Sequence, residues 1–121
     1  MKLSKIYALN KNKIIASTYE KIMSQYDTKQ YGTVKIVPPK TGKDLVNEAV
    51  NLHHCVDSYM EKVTEGKSLI LFVREDENKS FLTAEIKNHR INQLRGVNNH
   101  TDMVQPKHRR ALRNYIKEVR V

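Results

Sequence analysis

Between residues 68 and 95 three strand-length segments follow one another closely, and this pattern constrains the fold more than any other feature of the chain. Residues 68–74 form an apolar run of Leu, Ile, Phe and Val that ends in Arg74. A charged turn, residues 75–79, follows. Residues 81–87 then alternate with a strand's period of two: Leu82, Ala84 and Ile86 on one face, Phe81, Thr83 and Glu85 on the other. Asn88-His89 predicts a two-residue hairpin turn into residues 90–95. A two-residue turn sets Glu85 opposite Asn92, whereas a one-residue slip sets it opposite Gln93. Both registers are open on sequence grounds.

Helical patterns flank this sheet. Ile15, Tyr19, Ile22, Met23 and Tyr26 recur at helical spacing over residues 13–26, and residues 24–32 read as a polar loop. Residues 33–37 alternate and stop at Pro38-Pro39, which predicts a short edge strand. A central helix is expected over 43–64, ending at Gly66, with Leu45, Ala49, Leu52, Val56, Met60 and Val63 as its core stripe. At 100° per residue, Glu48, Cys55 and Tyr59 share one flank of that stripe, His53 takes the other, and His54 points away. Pro106 suits the first turn of a last helix whose buried stripe is Leu112, Tyr115, Ile116 and Val119.

The expected fold is therefore α+β. A small antiparallel sheet of three to four strands is packed by the central helix and the basic C-terminal helix. The 121 residues make one domain: an N-terminal helix and edge strand (1–40), a core (41–99) and the basic C-terminal helix (100–121). No apolar run approaches the roughly 18 residues that cross a bilayer, so no membrane partner is expected. A single cysteine and no secretory leader pattern suit the cytoplasm.

A formal charge of +9 favours an anionic partner. The charge is concentrated: from Lys87 to Val121 nine basic residues face two acids, Asp102 and Glu118. Arginine suits phosphate, so Arg90, Arg95, Lys107, Arg109, Arg110, Arg113 and Lys117 are the expected nucleic-acid contacts.

The chemistry-bearing residues gather elsewhere. His54 with Glu85 has the composition of an acid–base pair for phosphodiester cleavage, and Cys55 is the remaining nucleophile candidate. Glu48, His53, Tyr59, Arg74, Thr83, Gln93 and Asn98 complete a candidate polar site. The plainer alternative is that Glu85 pairs with Arg74 or Arg95 in a network that only specifies the fold. Contiguous His53-His54-Cys55 lacks the spacing of zinc ligands, so no metal or cofactor is expected.

From about Pro39 to Asn99 the order of motifs resembles the PcfJ-like family of conjugative plasmids, integrated elements and phages. The resemblance rests on Asp44-Leu45, Glu48, Leu-His-His-Cys-Val with a tyrosine four residues after the cysteine (52–59), Gly66, Arg74, Thr83-x-Glu85, and Gln93-x-x-Gly96-x-Asn98. Ala49 and Asp57 stand where the family pattern tends to have glycine. The resemblance implies mobile-element context and leaves the activity open. Three functional classes follow as expectations. The first is a nucleic-acid-binding accessory protein of a plasmid or phage. The second is a small nuclease or other enzyme using the His/Glu pair, and the third a phage-type inhibitor of a host nucleic-acid-processing or defence enzyme.

Overall fold

A computed structural model describes residues 3–52, 59–75 and 79–121, with side chains from residue 13 onward. The described helices are α1 (Leu3–Met23), α2 (Gly42–Leu52), α3 (Tyr59–Thr64) and α4 (Pro106–Val119), with a 3₁₀ turn at Val97–Asn99. The strands are β1 (Lys29–Tyr31), β2 (Val34–Val37), β3 (Leu69–Arg74), β4 (Leu82–Lys87) and β5 (Arg90–Arg95). They form one sheet in the order β1-β2-β3-β4-β5, with every neighbouring pair antiparallel.

The sheet thus has five strands rather than three to four. The additional strand is β1, inside the segment expected to be a loop. Lys29-Gln30-Tyr31 has no apolar alternation because its groups on the α4 side are held by polar contacts: Lys29 Nζ and Tyr31 Oη both donate to Glu118 of α4, at 3.2 and 3.0 Å. Gly32, at φ +62, makes the tight reversal into β2 that a side chain would strain. In consequence β2 is an interior strand and not an edge; Pro38 and Pro39 lie just beyond its last ladder position.

Alternation divides the sheet into two faces. Val34, Ile36, Leu71, Val73, Leu82, Ala84 and Leu94 form an apolar face and are all buried. Against it α4 lays Ala111, Leu112, Tyr115 and Ile116, also buried. The other face carries Ile70 and Phe72 but also Arg74, Thr83, Glu85, Gln93 and Arg95, and it is covered by α2 and α3, with α1 packed on α3. One helix therefore closes the apolar face, and the polar residues of the sheet are collected on the opposite one.

The expectation of one straight helix over 43–64 fails. Such a helix would hold residues 42 and 60 about 27 Å apart. Here a Cβ added to Gly42 would stand 2.5 Å from the Met60 Cε. So α2 and α3 are not collinear: the start of one lies beside the start of the other. Glu48 and Tyr59 consequently do not share a helix flank, although both reach the polar face. Residues 53–58, and with them His53, His54, Cys55 and Val56, lie outside the described residues. The start of α2 is fixed by a reciprocal capping arrangement in which the Asp44 amide donates to Thr41 Oγ1 at 3.1 Å and Asp44 Oδ2 accepts the Thr41 amide at 3.1 Å.

Both hairpin registers are realised, in succession. Asn88 and His89 adopt the left-handed φ values of 51° and 63° that a tight two-residue turn needs. Pairing starts as Lys87↔Arg90 and Ile86↔Ile91; a bulge between Glu85 and Ile86 then shifts it to Glu85↔Gln93. The extra residue, Asn92, hydrogen-bonds the Glu85 it skips. Helix α1 keeps the expected stripe of Tyr19 and Met23, both buried, and extends ten residues further towards the N-terminus than the sequence pattern marks.

Candidate nucleic-acid interface and the polar face of the sheet

Burying a charge on a sheet face is costly unless every oxygen and N–H finds a partner. Glu48, 1% exposed, meets that condition. Arg74 Nη1 and Nη2 donate to its two carboxylate oxygens at 2.7 Å each, Ser80 Oγ donates to Oε1 at 2.8 Å, and Thr83 Oγ1 to Oε2 at 3.2 Å. Asn51 Nδ2 donates in turn to Ser80 Oγ at 3.0 Å. Arg74 is also stacked over Phe72, 4.6 Å from the ring centroid. Glu48 is thus committed to four donors and pins α2 to β3 and β4. It is the partner of Arg74, so of the two arginines that the plainer alternative offered to Glu85, this one is taken.

Glu85, two residues along β4, is bonded differently. It is 4% exposed; its Oε1 accepts from Asn92 Nδ2 at 2.7 Å, and its Oε2 has no hydrogen-bond partner among the described residues. Gln93 lies directly across from it on β5 and accepts a hydrogen bond from Tyr59 Oη through Oε1 at 3.1 Å. Burial first, then the negative field of Glu85, pushes the Tyr59 phenol above the ordinary tyrosine range, while Arg95 pulls it back. Tyr59, Glu85, Gln93 and Arg95 therefore form one neighbourhood at the β5 end of this face. Glu48, Arg74 and Thr83 form another beside it. Asn98 belongs to neither: it is exposed in the 3₁₀ turn, at φ 55. Gly96, preceding that turn, is required by crowding, since a Cβ there would meet the Phe81 carbonyl oxygen at 3.2 Å and Leu82 at 3.3 Å.

A third polar cluster was not anticipated. His108 is fully buried at the start of α4, where its Nδ1 accepts the Gln105 amide at 2.9 Å. The ring proton is therefore on Nε2, which donates to Glu75 Oε1 at 2.9 Å. Lys107 Nζ reaches the same oxygen at 2.5 Å. The Lys107 hydrogen bond, and after it that of His108, holds the Glu75 carboxyl below the usual carboxylate range despite its partial burial. Phe81, half-buried, packs on the His108 ring at 5.2 Å and is not held out to stack a base. His108 lies four residues before Leu112 on the same stripe, so the helical period carried the information. Its polarity concealed it.

The basic residues separate into groups. Arg109, Arg113 and Lys117 are exposed and recur every fourth residue of α4, about 6 Å apart along the helix. With Arg90 and His89 from the β4–β5 hairpin they line a groove of about 470 Å³ between β5 and α4. Among the described residues no carboxylate lines it. Arg110 extends the same surface beside Arg109 and Arg113, towards Pro106. Two expected contacts fall away from it. Lys107 is bound to Glu75, and Arg95 lies on the opposite face near Tyr59. Among the described residues no three His, Cys, Asp or Glu side chains gather as a metal-holding group, and no helix is long and apolar enough to cross a membrane.

No solved structure matches the chain. Over 67 residues it is 43% identical to an uncharacterized protein of Listeria innocua, Lin1253/Lin1744; the match covers 52% of this chain and 15% of that relative's length. The model of the PcfJ-like protein family matches residues 5–112, well beyond the 39–99 stretch in which the motifs were read. That match takes in all but the first two residues of α1, all five strands and the first half of α4, and the chain belongs to the PcfJ-like protein family.

Proposed function

We propose that this protein is a nucleic-acid-binding accessory protein of a mobile genetic element, holding the phosphate backbone in the groove between β5 and α4. The observation that carries this reading is the convergence of Arg90, Arg109, Arg113 and Lys117, with His89, on a groove that no carboxylate lines among the described residues. Unopposed guanidinium groups on two adjacent elements favour a polyanion, because each phosphate bound releases condensed counterions. A net charge of +9 adds long-range attraction.

The test is a gel-retardation series with single- and double-stranded DNA and RNA. Arg113→Glu, inside the groove, is compared with Lys43→Glu, an equal change of charge on the exposed side of α2. Retardation by the wild type and by Lys43→Glu, lost in Arg113→Glu, is the expected result. Equal loss in both variants reduces the effect to overall charge and contradicts the groove. Absence of retardation on all four nucleic acids overturns the reading and leaves a host protein as the partner.

A further inference from the structure

Resting on the reading above, we propose that the groove between β5 and α4 receives an unpaired base of a single-stranded nucleic acid on its floor while its rim holds the phosphates. The groove carries two chemistries. Its rim is cationic: Arg90 on the β5 side and Arg109, Arg113 and Lys117 on the α4 side are all exposed. The rest of its lining, besides His89, is aliphatic: Ile91 of β5 and Ile116 of α4. Ile91 is only half-buried, and Ile116 keeps 8% of its surface open. A phosphate oxygen set against these two side chains would lose water and gain no donor, so the floor favours an apolar, flat group. The sugar–phosphate backbone has no such group. A nucleobase is one, and bases that leave the stack are packed on apolar side chains and on histidine or arginine planes.

Size and continuity agree with this use. The groove's volume of about 470 Å³ falls among pockets that hold small ligands, roughly 300–1,000 Å³. An intact duplex keeps its bases paired and turned inward, so it could bring only backbone to the isoleucines. His89 adds a ring to the lining, and its Nδ1 donates to the Val121 main-chain oxygen at 2.6 Å, which ties the ring to the residues that follow α4. Past Arg109 and Arg113 the same surface continues to Arg110, Gln105 and Pro106. A strand with one base on Ile91 and Ile116 therefore meets further cations for its next phosphates along α4.

Fluorescence anisotropy at one salt concentration tests the subsite with labelled probes: a short oligothymidylate, an abasic strand with the same number of phosphates, and a duplex of the same length. The wild type is expected to bind the oligothymidylate about tenfold or more tighter than either of the others. Ile91→Thr keeps a β-branched side chain and the net charge but puts a hydroxyl on the floor. It should bind the oligothymidylate only as well as the wild type binds the abasic strand, with abasic binding unchanged, whereas Ile91→Val should keep the preference. Equal affinity of the wild type for the normal and abasic strands overturns the subsite and leaves the groove reading intact, and so does tighter binding of the duplex. A preference that survives in Ile91→Thr places the base elsewhere and overturns the proposal. No binding of any probe overturns both readings.

Discussion

Glu48 and Glu85 stand on neighbouring parts of one sheet face, both almost wholly buried, and only the first is saturated with donors. A buried bidentate pair adds little net stability when intact but is costly to break, because the surviving charge is stranded. Glu48→Gln is therefore expected to lower the unfolding free energy by about 3–5 kcal/mol in a urea titration. Glu75 gives a pH prediction. Its carboxyl is depressed by Lys107 and His108, so its contribution is complete above the unfolded value of about 4.3 and is lost as pH falls through the lower folded value. Lys107→Met should move that acid loss to higher pH, read as urea midpoints between about pH 6 and 3. The identities of these residues were legible in the sequence; their pairing was not. Arg74 had Glu85 on the neighbouring strand and Glu48 on a helix within reach, and periodicity does not rank them.

The elements were legible where burial writes a pattern and obscure where polar contacts replace it. β3, β4 and β5 emerge from apolar runs and alternation, whereas β1 is held by Lys29 and Tyr31 against Glu118 and so reads as loop. The break in collinearity between α2 and α3 is likewise unwritten, since both carry compatible stripes. Two glycine substitutions probe these elements. Gly42→Ala meets only the flexible tip of Met60 and gains helix propensity, so stability should change by less than about 1 kcal/mol. Gly96→Ala pushes on the Phe81 backbone carbonyl and should cost about 1–3 kcal/mol. Thermal melts of the two variants side by side check the contrast; equal losses would mean that the Met60 side chain cannot move aside at the start of α2.

At the scale of the whole molecule the two sides of the sheet differ in what covers them. One side is sealed by α4, whose outer face carries the arginines; the other holds the polar cluster under α2 and α3. Composition favours an anionic partner without showing which charges stand together. Arg90 and Arg95 are five residues apart on β5, yet only Arg90 joins Arg109, Arg113 and Lys117. The salt dependence of single-stranded oligonucleotide binding, measured by anisotropy for the wild type and for Arg109→Ala/Arg113→Ala, tests that grouping most directly. Log affinity should fall linearly with log salt, with a slope that shrinks by about 0.7 for each arginine removed. An unchanged slope and affinity in the double variant would contradict it.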